Sequence, residues 1–427
     1  MDGLIASLLD QHAALPDAVR EAAPRRRARE ALESDGLPGP RAESWKYTPL
    51  RALARRRFEA ARGARPGAAL AEQVRRIPGP RLVLVNGRWD AALSELSGLP
   101  VGLVFGPLSE RLAHGEGARC WPGPSRGEEA VFARINTLLA RTAAGCASRP
   151  VPRWTARCTI VHVAVPEAAE VAWHLRTRIE LGAGARARLC ERFLGDGPHR
   201  NLGTAVVEIA LGEGALLEHL VEQDEGAGSA LFRRTEGTLA AASCYRRLDL
   251  ELGGGLSRHE LCVVLDGAGA ALHASGVLLG EGSAHLDTRL AVDHAAAGAR
   301  SSLLWRGLGR GRARIAFHGG ILIRPGADGS DAALANKNLL LSPEAEIDTR
   351  PVLEIHADEV KAAHGATVGR LDADALFYLR ARGVPRAQAE ALLTAAFCLE
   401  TVALLSDPAL AAQAGERLRA ALGGGMA

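Results

Sequence analysis

RGLGRGRARIAFHGGI, from Arg306 to Ile321, decides the fold. It opens on a glycine-rich turn, and the residues that follow alternate, with Ala313, Ile315 and Phe317 set against Arg312, Arg314 and His318. Polarity that changes at every second residue describes a strand with two unlike faces, and the glycines ahead of it describe a sharp change of direction. The device recurs upstream as LGAGARARL from Leu181, LGEGALLEHL from Leu211, LGGG from Leu252 and LLGEGSAHL from Leu278. Several of the intervals are roughly 30 residues, within the range of structural repeats. A chain that keeps making a tight turn and then an alternating strand, with little helix between, suits a stacked solenoid better than a doubly wound sheet. A β-sandwich satisfies the same pattern.

Helical readings flank this region. Apolar spacing in IASLLDQHAAL, LRALARRRFEAA and EEAVFARINTLLART predicts amphipathic helices, while RLVLVNGRW reads as a strand ending in a turn. An N-terminal α/β region over 1–150, a β core over 151–370 and a helical region over 371–427 follow. In the last of these, Asp372 is placed to cap a helix that Gly383 stops, Pro385 opens a second with a wide apolar face, and Asp407 and Pro408 begin a third that frays towards Gly425.

Composition narrows the function. The chain has 427 residues and is 47% hydrophobic, enough for a large core. A formal charge of +3 is small for that length, and the 49 acidic residues are interspersed with the basic ones, unlike the clustered basic face of a nucleic-acid binder. The run Arg25 to Arg27 with Arg29 reads as a solvated helix face. An acidic residue at position 2, no basic lead and no apolar run near membrane-spanning length predict a cytoplasmic protein with no membrane partner. The seven cysteines, Cys120, Cys146, Cys158, Cys190, Cys244, Cys262 and Cys398, are widely spaced and form no CxxC pair. That argues against a disulfide framework and against a self-contained four-cysteine site, and leaves buried structural thiols as the expectation. No GxxxxGK followed by Ser or Thr is present, so the chain holds no standard ATP-binding loop. The one GxSxG match, GPSRG around Ser125, follows Cys120, Trp121 and Pro122 rather than an apolar strand.

One histidine stands out. In VKAAHGATVGRLD, from Val360 to Asp372, His364 sits among Ala362, Ala363, Gly365 and Ala366, which reads as a small-residue loop where another chain or a metal could approach the imidazole. This motif with LFYLRARGV after it resembles the SufB/SufD family of iron-sulfur cluster assembly subunits, and its SufD members in particular. ESWKYTPLRAL from Glu43, HLDTRL from His285, NKNLLLSPEAEIDTRP from Asn336 and the Arg306 stretch resemble the same family, in the expected order, from about Pro38 to about Leu405.

The resemblance implies a right-handed parallel β-helix core, which settles the choice against a sandwich. It implies a non-catalytic scaffold within a SufBCD complex, paired with a SufB-like paralogue, docked to a SufC-like ATPase through the C-terminal helices, and without nucleic acid. His364 would then be a metal ligand at the interface, sharing a transient iron-sulfur cluster with a partner cysteine. A cysteine can stand two positions earlier in the family; here that position is Ala362. Family complexes are also linked to a reduced flavin, for which no fingerprint is visible. The rival from another class is a self-associating β-helical structural protein, a homodimer in isolation, without cluster chemistry. His285, Asp287, Asp293 and His294 form a second group with no third ligand at fixed short spacing, and read as solvated or interfacial.

Overall fold

The computed structural model describes residues 2–39, 41–99, 103–107, 130–140, 142–148 and 157–423. From Arg157 onward successive strands alternate between two sheets, and each pairs in parallel with the strand two places along the chain. The first sheet ends in Arg314–Ile323 and Glu346–Ile355, the second in Asp331–Leu340 and Lys361–Gly369. Two strands per turn, stacked in parallel, make a β-solenoid; the chain is mainly β, with helices at both ends of the sequence. The register fixes the repeat, since Leu202 lies beside Ala230, Ala230 beside Leu256, Leu256 beside His285 and His285 beside Arg314. The N-terminal region adds Arg81–Val85 to the second sheet, and its turn at Asn86 and Gly87 leads into Arg88–Trp89.

The glycine turns stack. The amide of Gly184 donates to Glu213, Gly214 to Ala241, Ala242 to Ala268, Gly269 to Ala297, Gly298 to Asp328 and Gly329 to Glu359. Each of these donors is left-handed, with φ between 54° at Ala242 and 71° at Gly329. Ala242 alone carries a Cβ there, in a conformation that costs an L-residue about 1–2 kcal/mol.

Between the sheets the lumen is packed with Leu189, Leu217, Leu272, Leu303, Trp305, Ile315, Phe317 and Leu334. Trp305 lies across Gly276, where a Cβ would stand 2.3 Å from the indole nitrogen. Helices Gly3–Ala13 and Val131–Leu139, with Trp45, cover part of the first sheet through Leu4, Leu8, Phe132 and Phe232. The C-terminal helices Arg386–Leu399 and Pro408–Ala421 lie along the outer face of the second sheet, where Cys398, Leu410 and Leu418 meet Leu220, Leu248, Leu250 and Val277.

Three expectations need correction. LRALARRRFEAA forms only the short helix Arg51–Ala54 before a strand begins at Glu59. Arg25 is buried and not solvated, because its guanidinium donates to the carbonyls of Leu138 and Ala140 at the end of the helix Val131–Leu139. The 19-residue helical stretch Arg386–Leu404 is long and apolar enough, by length and composition, to cross a membrane; Cys398, Thr401 and Val402 are buried against the second sheet instead.

Candidate functional site

Among the described residues, no element covers the last turn of the solenoid. Glu346–Ile355 and Lys361–Gly369 are each hydrogen-bonded to one neighbour and terminate their sheets, so both present an unpaired edge. Ile355 and Val368 on these edges are 43% and 42% exposed. His364 lies in the second of these strands, opposite Leu334, so it is on a strand and not on a loop. Alanine and glycine have weak strand preference, and the pairing with Asp331–Leu340 imposes the conformation. Leu334 and Leu303 before it face the lumen in the same row, so His364 continues that row one turn beyond the core and is exposed. Ala362 packs against the edge of the core and supplies no ligand.

Deeper in the lumen lies a polar network that inspection of the sequence passed over. Glu191 sits between His162 Nε2 at 2.8 Å and His219 Nε2 at 3.5 Å. His219 Nδ1 contacts the Tyr245 hydroxyl, which accepts from Arg247, and Arg247 forms a two-point pair with Asp249 at 2.7 and 2.8 Å. Arg247 also donates to His259 Nε2, and Arg233 pairs with Glu251. Burial holds His259 neutral, and although burial opposes it, Arg247 keeps the Asp249 carboxyl below the usual range. Asp249, Glu251 and His259 are the one group of three metal-type ligands among the described residues. Two guanidiniums already neutralise its carboxylates, so this cluster suits an internal ion-pair network better than a divalent cation. Trp305, Phe317, Leu303 and Leu334 separate it from His364 with an apolar plug.

The second sequence group does not gather into a site. Asp287 is buried, accepting from Thr48 and pairing with Arg258 at 2.6 Å, because the segment Glu43 to Thr48 lies across it. Arg258 stacks on Trp45 at 3.8 Å and, with Arg289, donates to the Ser44 carbonyl. His294 is fully buried against the Ser301 hydroxyl, and Asp293 pairs with Arg324. The reading of these four as solvated or interfacial fails for Asp287, which a distant segment covers, and for His294, which faces the lumen on the same side of its strand as Leu290 and Val292.

Burial pushes the thiols of Cys158 and Cys398 up to about 12 and those of Cys190 and Cys262 up to about 11, and raises that of Cys244. None is poised as a thiolate ligand. Cys120 and Ser125 lie outside the described residues. A groove of about 790 Å³ runs over the outer face of the first sheet past Cys262 and His318, and most of its charges are satisfied among themselves, as in Arg234 with Glu236 and Glu260.

The helix Ala373–Ala381 is capped by the Asp372 carboxylate, which accepts from the amides of Asp374 and Ala375, and Gly383 is left-handed beyond it. It buries no residue: Phe377 is 73% exposed and Tyr378 56%, and Leu392 on the next helix is 50% exposed. Sequence reasoning placed this helix and put Phe377 on its apolar face with Leu376 and Leu379, but gave Tyr378 no role.

Comparison with known proteins agrees with this architecture. The family model described as "SUF system FeS cluster assembly, SufBD core domain" matches residues 164–397. The iron-sulfur cluster assembly protein SufD of Escherichia coli (strain K12) is 30% identical over 395 residues, covering 91% of this chain and 90% of the relative. A SufBD family protein of Synechocystis is also 30% identical over 395 residues, covering 88% and 85%. A Mycobacterium tuberculosis SufBD family protein is 33% identical over 234 residues, 52% of this chain. With a core-domain match over the solenoid and SufD-like kinship over nearly the whole length, the chain belongs to the SufB/SufD family of the SUF iron-sulfur cluster assembly system.

Proposed function

We propose that this chain is a non-catalytic scaffold subunit in iron-sulfur cluster assembly. Its open solenoid end pairs edge to edge with a SufB-like paralogue, and its C-terminal helices dock a SufC-like ATPase. The segments 1–150, 151–370 and 371–427 serve as a brace, the solenoid and the docking region. The complex works in the cytoplasm, which suits five described cysteines without a disulfide.

The observation that carries the reading is the pair of free strand edges at one end of the solenoid, with His364 exposed on one of them. An unpaired edge is a template for another chain, and two parallel edges side by side favour a partner that offers two of its own. His364 belongs to no three-ligand group among the described residues, so under this reading it supplies one ligand to a nascent cluster whose cysteine ligands come from the partner. The cluster is cargo. ATP chemistry falls to the docked subunit, and no residue here is assigned to flavin.

Anaerobic co-expression with the two partners tests this. Iron and sulfide bound per complex are compared for the unsubstituted chain and His364→Ala, after gel filtration confirms equal assembly. Loss of cluster from an intact His364→Ala complex is expected. Unchanged loading removes His364 from the assembly site, and a chain that forms only homodimers and ignores the SufB-like partner supports the self-associating structural protein instead.

A further inference from the structure

The last turn of the solenoid places a pair of uncharged amides in its lumen. In the row that holds Gly276 and Trp305, the next residue is Asn336; in the row that holds Leu278 and Gly307, it is Asn338. Both asparagines are buried, at 0% and 2% exposure. They bond to one another, Asn338 Nδ2 to Asn336 Oδ1 at 2.6 Å and Asn336 Nδ2 to Asn338 Oδ1 at 3.2 Å. Each also reaches one of the two edge strands. Asn338 Nδ2 donates to the carbonyl of Thr367 at 3.0 Å, in the strand that carries His364. Asn336 Oδ1 accepts from the Thr349 hydroxyl at 2.7 Å, in the other edge strand.

Room for this pair is made one turn earlier. A Cβ at Gly307 would stand 2.3 Å from Asn338 Oδ1, so the amide occupies the space a side chain would need. The turn before puts Trp305 and Gly307 in these rows, while deeper in the lumen the same rows hold Asp249 and Glu251, each paired with an arginine. For stability alone an apolar pair in place of both asparagines would serve about as well, since a buried hydrogen bond contributes little net. What the amides add is direction, because hydrogen bonds hold a set geometry where packed methyl groups slide.

We propose that Asn336, Asn338 and Thr349 are positioning residues, which hold the two free edges at a fixed spacing so that both engage the partner together and His364 is presented in one place. This rests on the edge-pairing reading above. Charged pairs such as Arg233 with Glu251 also cross the lumen deeper in the solenoid, but there every strand is held by neighbours on both sides, whereas the two edge strands have one neighbour each.

The test uses the full chain with its SufB-like partner and three variants: Asn338→Leu, which replaces the amide with an apolar side chain of the same branching, Thr349→Val, which replaces the hydroxyl with a methyl group, and Thr349→Ser, which restores it. Three quantities are read: the thermal midpoint, amide hydrogen exchange over 346–355 and 361–369 against the rest of the solenoid, and affinity for the partner. Both Asn338→Leu and Thr349→Val leave a buried polar group without its partner, so a small fall in the midpoint is expected. With it come about tenfold faster exchange, confined to 361–369 in Asn338→Leu and to 346–355 in Thr349→Val, and about tenfold weaker partner binding. Thr349→Ser behaves as the unsubstituted chain. Should Asn338→Leu fail to fold, the Thr349 pair decides alone. Uniformly faster exchange across all turns makes the network a general stabiliser and overturns the proposal, as does unchanged partner affinity in variants with loosened edges. Failure of the unsubstituted chain to bind the partner strikes the edge-pairing reading itself, while the exchange data still report whether the amides hold the edge.

Discussion

Replacing Phe377 with alanine separates a docking residue from a structural one. The helix that carries it buries nothing, and the ring is 73% exposed. A phenylalanine side chain presents about 200 Å², so about 150 Å² is open to a partner, worth a ceiling of about 4 kcal/mol if a groove covered it completely. Interfaces realise part of such a ceiling, and for a central aromatic the loss on truncation is typically about 2–3 kcal/mol. Phe377→Ala is therefore expected to weaken binding of the SufC-like ATPase about 30- to 150-fold.

The stability of the isolated chain should stay within about 0.5 kcal/mol, because the substitution removes no internal contact of consequence. Isothermal titration of the full chain with the ATPase measures the first quantity, and chemical denaturation the second. A loss of affinity below about threefold, with stability unchanged, refutes the reasoning. It would mean that the exposed aromatic pair Phe377 and Tyr378, with Arg382 stacked on the latter at 3.5 Å, is not the docking anchor.

Other consequences follow from the interior. Burial pushes the Glu225 carboxyl up to about 7, so the folded chain keeps a proton that the unfolded chain releases near 4.5, and stability falls as pH rises between these values. Glu225→Gln should match the unsubstituted protein near the lower value and exceed it by about 3 kcal/mol at pH 8 in urea melts; a difference independent of pH would contradict this. Ala242→Gly relieves left-handed strain at the cost of a more flexible unfolded chain, for a net gain of about 0.5 kcal/mol by denaturant titration, and a loss would show the strain is absent. Asp249→Asn leaves the Arg247 charge uncompensated and should cost about 3–5 kcal/mol, whereas replacing both by apolar residues should cost much less. Equal cost for the single and double variants would count against the ion-pair account.

The sequence revealed whatever rests on local chemistry. The repeated glycine turns mark the solenoid corners, and Asp372, Gly383 and Asp407 mark helix ends where the backbone needs an acceptor or a left-handed residue. It hid whatever depends on which face a remote segment covers. In CYRRLDLE, Cys244–Glu251, the residues facing the lumen are Tyr245, Arg247, Asp249 and Glu251, while Leu248 and Leu250 face outward beneath the C-terminal helices. Alternation locates such a strand but does not say which of its faces is inside, and here the usual polarity is reversed. His364 was legible as a residue and misread as a loop for a related reason: its strand owes its form to Asp331–Leu340 and not to its own alanines and glycines.

The same interior bears on what the family role asks of this chain. Five described thiols are held protonated by burial, the one group of three metal-type ligands among the described residues is taken up by two arginines, and an apolar plug of leucine and aromatic side chains separates that group from the open end. A single exposed imidazole is a weak ligand on its own, since clusters are held by several donors at once. Under the scaffold reading, iron affinity is therefore a property of the interface and not of either surface. Loading then depends on the fraction of chain paired, and anything that separates the two strand edges weakens the ligand set without touching a ligand. That makes the polar last turn, with Asn338 tied to Thr367 and Asn336 to Thr349, the place where edge geometry and cluster chemistry meet.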